Sequence, residues 1–296
     1  MPAPLAGAST RALHRTVTVN GLTIAYREAG PAEAPAVLLL HGFPSSSHMY
    51  RDLIPLLATR YRVLAPDYPG FGISSAPAPD AFPYSFASLA EVIEGFTQAV
   101  GARDYTLYMQ DYGGPVGLRL ALRHPERVRG LIFQNAVANV EGWNPDVVAQ
   151  IAPYWESRTP ESEAPVRNLL SADTTRFQYL HGASRPERVA PESYIVDQAG
   201  LDRPGNDAIQ LELLQAYQDN VALYPAFAAY LRARRPPTLV VWGKNDPFFT
   251  LAGVDHVKAC IPETEVHLFD AGHFALETHV DEIGAATLAF LDRTLR

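Results

Sequence analysis

Residues Asp104–His124 read DYTLYMQDYGGPVGLRLALRH. Tyr105 to Gln110 are apolar and aromatic enough for a buried strand, Gly113-Gly114 permits a sharp reversal, and Val116 to Leu122 carry apolar residues at helical spacing. The order is strand, tight turn, helix. A turn of this kind lifts one residue above the C-terminal edge of a sheet, and here that residue is Asp111. The usual pattern at such an elbow is G-x-S-x-G, whereas Met109-Gln110-Asp111-Tyr112-Gly113 puts an acid where serine stands and Met109 where the first glycine stands. The exchange has a chemical meaning. A serine attacking a saturated carbon would form an ether, which histidine-activated water does not cleave. An aspartate forms an ester, whose carboxyl carbon water attacks while backbone N–H groups hold the oxyanion. The expected electrophile is an sp3 carbon, in an epoxide or an alkyl halide. Aspartate before a helix also serves as a simple cap, so Asp111 alone leaves both roles open.

Its partners lie near the far end of the chain. TLVVWG from Thr238 is followed by Lys244-Asn245-Asp246-Pro247, and Val266 to Phe269 by Asp270-Ala271-Gly272-His273-Phe274. Both loops follow strands. Asp246 and His273 thus fall at consecutive strand ends, on the edge that carries Asp111 and in the order nucleophile, acid, histidine. That coincidence favours a triad over a helix cap.

Towards the N-terminus, residues 1–14 read as a frayed leader. Thr16 to Val19 and Leu22 to Tyr26 read as an edge hairpin turned at Asn20-Gly21. Ala36 to Leu40 is a wholly apolar strand running into His41-Gly42-Phe43-Pro44. His41, at the strand end, is read as bracing this loop, and Asp67, in the Gly/Pro-rich loop after a strand at 62–65, as a turn former. Helices are expected over 49–57 and 85–100, with Ser85 or Ser88 as cap for the second, and a strand over 128–133. The next buried strand starts only at Thr238, about a hundred residues on and far beyond an ordinary crossover. The intervening stretch is rich in tyrosine, with helical segments such as 208–214, and reads as a helical lid shielding an apolar pocket. A final amphipathic stretch, 280–291, is expected to pack on the sheet. The expected organisation is a core in two parts, 1–139 and 236–296, with a cap at 140–235.

Composition agrees with this plan. A chain of 296 residues with 47% hydrophobic content buries one large α/β core and leaves material for an insertion. The formal charge is −8 and no Lys/Arg run forms a stripe, which argues against nucleic acid and anionic membrane surfaces and for a small neutral partner. One cysteine rules out an internal disulfide, no signal-like apolar stretch opens the sequence, and no run approaches the roughly 20 residues of a membrane span. Cytoplasmic residence, a monomer or homodimer, and no cofactor or metal are the corresponding expectations.

Over nearly its whole length the sequence resembles the α/β-hydrolase superfamily, and within it the branch with an aspartate nucleophile, which holds epoxide hydrolases and haloalkane dehalogenases. The residues carrying the resemblance are the order Asp111, Asp246, His273, together with HGFP, Gly70-Phe71-Gly72 and AGHF. It implies a mostly parallel sheet with helices on both faces, Asp111 as nucleophile, His273 as base oriented by Asp246, and an oxyanion hole from the Phe43 and Tyr112 N–H groups. Gln110-Asp111-Tyr112-Gly113-Gly114 resembles the Q-D-W-G-G elbow of one dehalogenase subgroup. There the tryptophan after the nucleophile holds the halide with a second tryptophan or an asparagine; this chain has Tyr112, and Phe43 where an asparagine would stand. Trp143 or Trp155 would have to substitute, and with Phe43 they are the candidate pocket residues. HGFP resembles epoxide hydrolases, which protonate the opening oxygen with two lid tyrosines. Tyr217, in AYQDN, resembles the second of these and Tyr154, in PYWES, more weakly the first. A tyrosine suits an epoxide, whose oxygen leaves as an alkoxide and needs a proton, whereas a halide needs only hydrogen-bond donors. The preferred expectation is an epoxide hydrolase acting on a small apolar substrate with water. The alternatives are a haloalkane dehalogenase and a non-catalytic ligand-binding protein of the same fold.

Overall fold

A computed structural model describes residues 9–295. Eight strands form one sheet: β1 (Leu13–Val19), β2 (Leu22–Ala29), β3 (Ala36–Leu40), β4 (Arg62–Pro66), β5 (Tyr105–Gln110), β6 (Val128–Gln134), β7 (Thr238–Gly243) and β8 (Glu265–Phe269). Their spatial order is β1-β2-β4-β3-β5-β6-β7-β8. From β4 to β8 every pairing is parallel, while β1 and β2 add an antiparallel edge.

The apolar runs of β3 and β5 follow from burial on both faces. Leu38 and Leu40 face one core with Leu107 and Met109, while Val37, Leu39 and Tyr108 face the other. The first core is covered by α2 (Phe86–Ala99), α3 (Gly113–Arg123) and α10 (Ala252–Cys260), the second by α1 (Leu53–Leu57) and α11 (Leu276–Thr294). Burying each such aliphatic side chain stabilises the fold by about 1.5–3 kcal/mol. Central β5, with no exposed residue, fixes where its C-terminal end points.

Several sequence expectations shift at their edges. The first strand begins at Leu13, inside the expected leader, because its pairing with β2 runs out to Glu28; residues 1–8 of that leader lie outside the described residues. The helix expected over 49–57 is a 3-10 turn at Ser47–Tyr50 followed by α1. For α2 the cap is Ser85, which accepts the Ser88 N–H. The last helix is longer than expected and kinks at His279.

Between β6 and β7 lie α4 (Pro145–Glu156), α5 (Pro160–Asn168), α6 (Ala172–Leu180), α7 (Pro191–Leu201), α8 (Asn206–Ala216) and α9 (Gln218–Arg234). Proline occupies the first turn of α4, α5 and α7, where its missing N–H leaves no intrahelical bond unmade. Among the described residues no helix is long and apolar enough to cross a membrane, and no His/Cys/Asp/Glu group has a metal-binding arrangement.

Candidate active site

Asp111 follows β5 directly and adopts φ 47, a left-handed conformation that costs a non-glycine residue about 1–3 kcal/mol. Hydrogen bonds on both sides hold it there: its N–H donates to the Asn135 carbonyl at 3.1 Å, and its carbonyl accepts from the Gly114 N–H at 2.9 Å. Two glycines make room for the turn. A Cβ on Gly42 would lie 2.3 Å from the Asp111 Cβ, and one on Gly113 would lie 2.1 Å from the Leu40 carbonyl oxygen.

The Phe43 N–H donates to Asp111 Oδ1 at 2.7 Å, and the Tyr112 N–H also faces this carboxylate. Burial pushes the Asp111 pKa up to about 6, against the lowering pull of His273 and of these two N–H groups. The donors expected to form an oxyanion hole therefore both converge on Asp111.

His273, in the loop after β8, places Nδ1 2.8 Å from Asp246 Oδ2. The carboxylate accepts, so Nδ1 carries the proton and Nε2 keeps its lone pair. Asp246 is itself fixed by Asn135 Nδ2 at 2.7 Å on Oδ2 and by the N–H groups of Phe248 and Phe249 on Oδ1. Burial lowers the His273 pKa, yet Asp246 and Asp111 outweigh it and the net shift is upward. The side-chain amide of Gln110 lies 2.9 Å from His273 Nε2, and the rings of Phe248, Phe249 and Phe274 pack around the imidazole.

Phe43, Asp111, Tyr112, Trp143, Phe249 and His273 bound a cleft of about 50 Å³, which Ile151 of α4, Gln178 of α6 and Leu214 of α8 also line. The walls are almost wholly apolar, so a charge formed inside meets few competing dipoles.

The other expected residues are spread unevenly around this cleft. Trp143 stands in its wall, but its indole N–H donates to the Tyr224 hydroxyl at 2.9 Å. Trp155 lies one layer back, stacked on Tyr217 at 6.2 Å, with its N–H on the Leu214 carbonyl. Tyr217 does not line the cleft; it packs edge-on to Trp143 and against Tyr112, two of the cleft's walls, and its hydroxyl is buried beside that of Tyr224 without a well-formed hydrogen bond. Burial, Tyr224 and Asp111 all raise its pKa well above the ordinary tyrosine value. Tyr154 does not reach the cleft. It belongs to a separate apolar cluster with Val166, Leu211 and Leu214, and Arg158 lies over its ring. On α4 it sits on the face turned towards α5 and α8, a placement that helical phase fixes and the motif PYWES does not reveal.

Residues that sequence reasoning missed are Asn135, Gln110, Gln178 and Tyr224. Asn135 had a signal, being a polar residue directly after a buried strand; it also adopts positive φ and ties β6 to the Gly243 backbone. Tyr224 had none, since one tyrosine among many on a helix announces no orientation. His41 braces its loop: its Nδ1 donates to the Gly42 carbonyl and its Nε2 accepts the Tyr68 N–H, while burial lowers its pKa to about 4. Asp67 accepts the N–H groups of Ser47 and Ile73.

A mostly parallel sheet with a strained acid at the end of its central strand and an Asp–His pair from the loops after β7 and β8 defines a hydrolase of the α/β type. The chain belongs to the α/β-hydrolase family: the family model described as alpha/beta hydrolase fold matches residues 35–280. It is 40% identical over 270 residues to an uncharacterized hydrolase of Saccharomyces cerevisiae, covering 90% of this chain and 92% of that protein. It is 31% identical over 275 residues to haloalkane dehalogenase 2 of Mycobacterium tuberculosis, covering 86% and 87%. Among solved structures, the haloalkane dehalogenase DbeA from Bradyrhizobium elkani superposes with a TM-score of 0.78 at 25% identity, covering 96% and 98%.

Proposed function

We propose that the chain is an epoxide hydrolase that works through a covalent ester on Asp111, with residues 140–235 acting as its cap. Asp111 attacks one epoxide carbon, the C–O bond breaks, and the oxygen takes a proton from the Tyr217 hydroxyl. Tyr224, whose hydroxyl lies beside that of Tyr217 and accepts the Trp143 N–H, is the candidate for the second donor in place of Tyr154. His273 then takes a proton from water and the hydroxide attacks the Asp111 carboxyl carbon, with the Phe43 and Tyr112 N–H groups holding the oxyanion; its collapse breaks the ester bond to the alkyl oxygen, which takes the His273 proton to complete the diol, and the proton of the new Asp111 carboxyl returns to the Tyr217 phenolate. The observation that carries this reading is the buried Tyr217 hydroxyl, which has no well-formed hydrogen bond and whose ring packs against Tyr112 and Trp143, two walls of the cleft. Both neighbouring indole N–H groups, by contrast, are committed to other acceptors.

Tyr217→Phe is the test. It should slow epoxide opening by about 10²-fold to 10³-fold in single-turnover experiments and leave hydrolysis of a preformed ester almost unchanged. Equal loss in both steps, or none, contradicts the assignment. The second reading, a haloalkane dehalogenase, is favoured by Trp143 in the cleft wall and by the dehalogenase relatives. It requires the Trp143 N–H to leave Tyr224 for the halide. Diol and halide release from matched C2 to C6 substrates distinguishes the two, and halide release without diol formation from epoxides rejects the first.

The two steps should also separate with pH. Alkylation needs ionised Asp111, so it declines as pH falls through about 6. Ester hydrolysis needs neutral His273, whose pKa is raised above 6.5, so that step quickens as pH rises further. Stopped-flow traces are expected to show larger ester accumulation near pH 6.5 than near pH 8.5. Accumulation that grows with rising pH would contradict these roles.

A further inference from the structure

Apart from the Asp111 cleft, a cavity of about 470 Å³ opens between the β1–β2 hairpin, the loop after β3 and helix α7, and it shares no lining residue with the cleft. Several donors in its polar lining have no acceptor among the described residues. Arg27, on β2, donates Nε to Ser47 Oγ at 3.2 Å and Nη2 to His48 Nδ1 at 3.3 Å, which leaves Nη1 with no acceptor among the described residues. A guanidinium only donates, so His48 Nδ1 must accept and the His48 proton sits on Nε2, which has no acceptor either. Arg203, just past the end of α7, spends Nε on the Gly200 carbonyl and reaches the Ser74 carbonyl with Nη1 at 3.5 Å, while Nη2 has no partner.

The carboxylates lining the same cavity are already occupied. Asp67 takes a backbone N–H on each oxygen, from Ser47 and Ile73. Asp197 accepts the Tyr179 hydroxyl, and burial pushes its pKa up to about 7. Burial, followed by Arg51 and Arg27, drives the His48 pKa down to about 4 against the opposing pull of Asp52 and Asp67. The mouth, however, is apolar. Ile73 is 76% exposed and Val196 46% exposed, and both line the opening.

We propose that this cavity binds a small amphiphilic monocarboxylate, with its carboxylate between Arg27 and Arg203 and its aliphatic tail along Ile73 and Val196. Planar guanidinium donors match a carboxylate in geometry as well as charge, and a half-enclosed site screens that attraction less than open solvent does. An apolar rim over a basic floor selects for a molecule with both parts.

Calorimetric titration of the full chain with sodium octanoate tests this. Saturable binding is expected, with octanol, which has the same tail without the charge, at least tenfold weaker. Ile73→Asp should weaken octanoate binding by about tenfold and Ile73→Lys should strengthen it, because each places a charge at the mouth without touching a buried contact. Both variants should keep the wild-type melting curve. Arg203→Gln should weaken octanoate without altering the octanol result. The proposal is overturned if octanoate shows no binding up to about 10 mM, if octanol binds equally well, or if the Ile73 variants bind octanoate as the wild type does. The last outcome would place the ligand in the Asp111 cleft instead.

Discussion

Asp111→Asn is expected to abolish turnover, with a loss on the order of 10⁴-fold or more, because an amide forms no alkyl ester under these conditions. Asparagine is a better probe than alanine here. It tolerates the positive φ of position 111, keeps the side-chain volume and still accepts the Phe43 N–H. Loss of activity through misfolding can be distinguished by stability. The folded protein holds the Asp111 pKa near 6, above its ordinary 3.8, so ionising this carboxyl costs folding free energy. That cost is absent below pH 3.8, grows as pH rises through about 6, and is complete above it. The variant, which cannot ionise, should therefore be more stable than the wild type at pH 8, by about 1–3 kcal/mol, and should lose this advantage near pH 4. Thermal unfolding at both pH values measures it. Undiminished turnover would remove Asp111 from the nucleophile role, and reduced stability at pH 8 would show that the carboxylate is stabilised in a way its burial does not suggest.

His273→Gln should have an effect of similar size on steady-state turnover but of a different kind. If His273 acts only on water, the first chemical step survives and the ester persists. One equivalent of substrate should then be consumed in a burst, and intact-mass analysis should show the protein heavier by the alkyl group, with the adduct on Asp111. Hydrolysis of that adduct should fall by about 10³-fold or more, as removal of a general base predicts when no other group reaches the water. A folded variant showing neither burst nor adduct would mean that His273 is needed before the ester forms. The Gln110 amide, 2.9 Å from His273 Nε2, gives a further expectation within the same experiment. Glutamine at 273 has a neighbour with which to hydrogen-bond, so the substitution should not leave a buried polar group stranded.

Much of this architecture could be read from one segment. The run Tyr105–Gln110 followed by Gly113-Gly114 announces strand, elbow and helix through residue types alone, since a run so rich in apolar and aromatic residues suits a strand buried on both faces and only glycine fits where Leu40 approaches. Asp246 and His273 were legible for a related reason. Each follows a short apolar strand, parallel strands end on one edge, and residues at those ends meet whatever the distance between them in sequence. The gap of about a hundred residues before β7 likewise marked an insertion.

The walls of the cleft were not legible in the same way. Which tyrosine faces Asp111 depends on the rotation of α4 and α9 about their axes and on how six short helices pack together, and at 3.6 residues per turn a shift of one position turns a side chain by about 100°. Tyr154 was a motif match and Trp155 a candidate halide donor from the lid, and helical phase carried the first into the cluster with Val166 and the second onto the ring of Tyr217. Gln178, unremarkable in sequence, was brought to the cleft by the same packing, and Tyr224 to the indole of Trp143 in its wall. The second cavity is further still from anything a sequence displays: Arg27, His48 and Arg203 come from a strand, a loop and a helix end, and no local pattern links them. Strand periodicity and turn chemistry are local, so the amino-acid sequence by itself determined the sheet, the elbow and the three residues at its edge. The partner of the Trp143 indole and the surroundings of the Tyr217 hydroxyl come from long-range packing, so the lining of the cleft beside Asp111 was left to the tertiary structure.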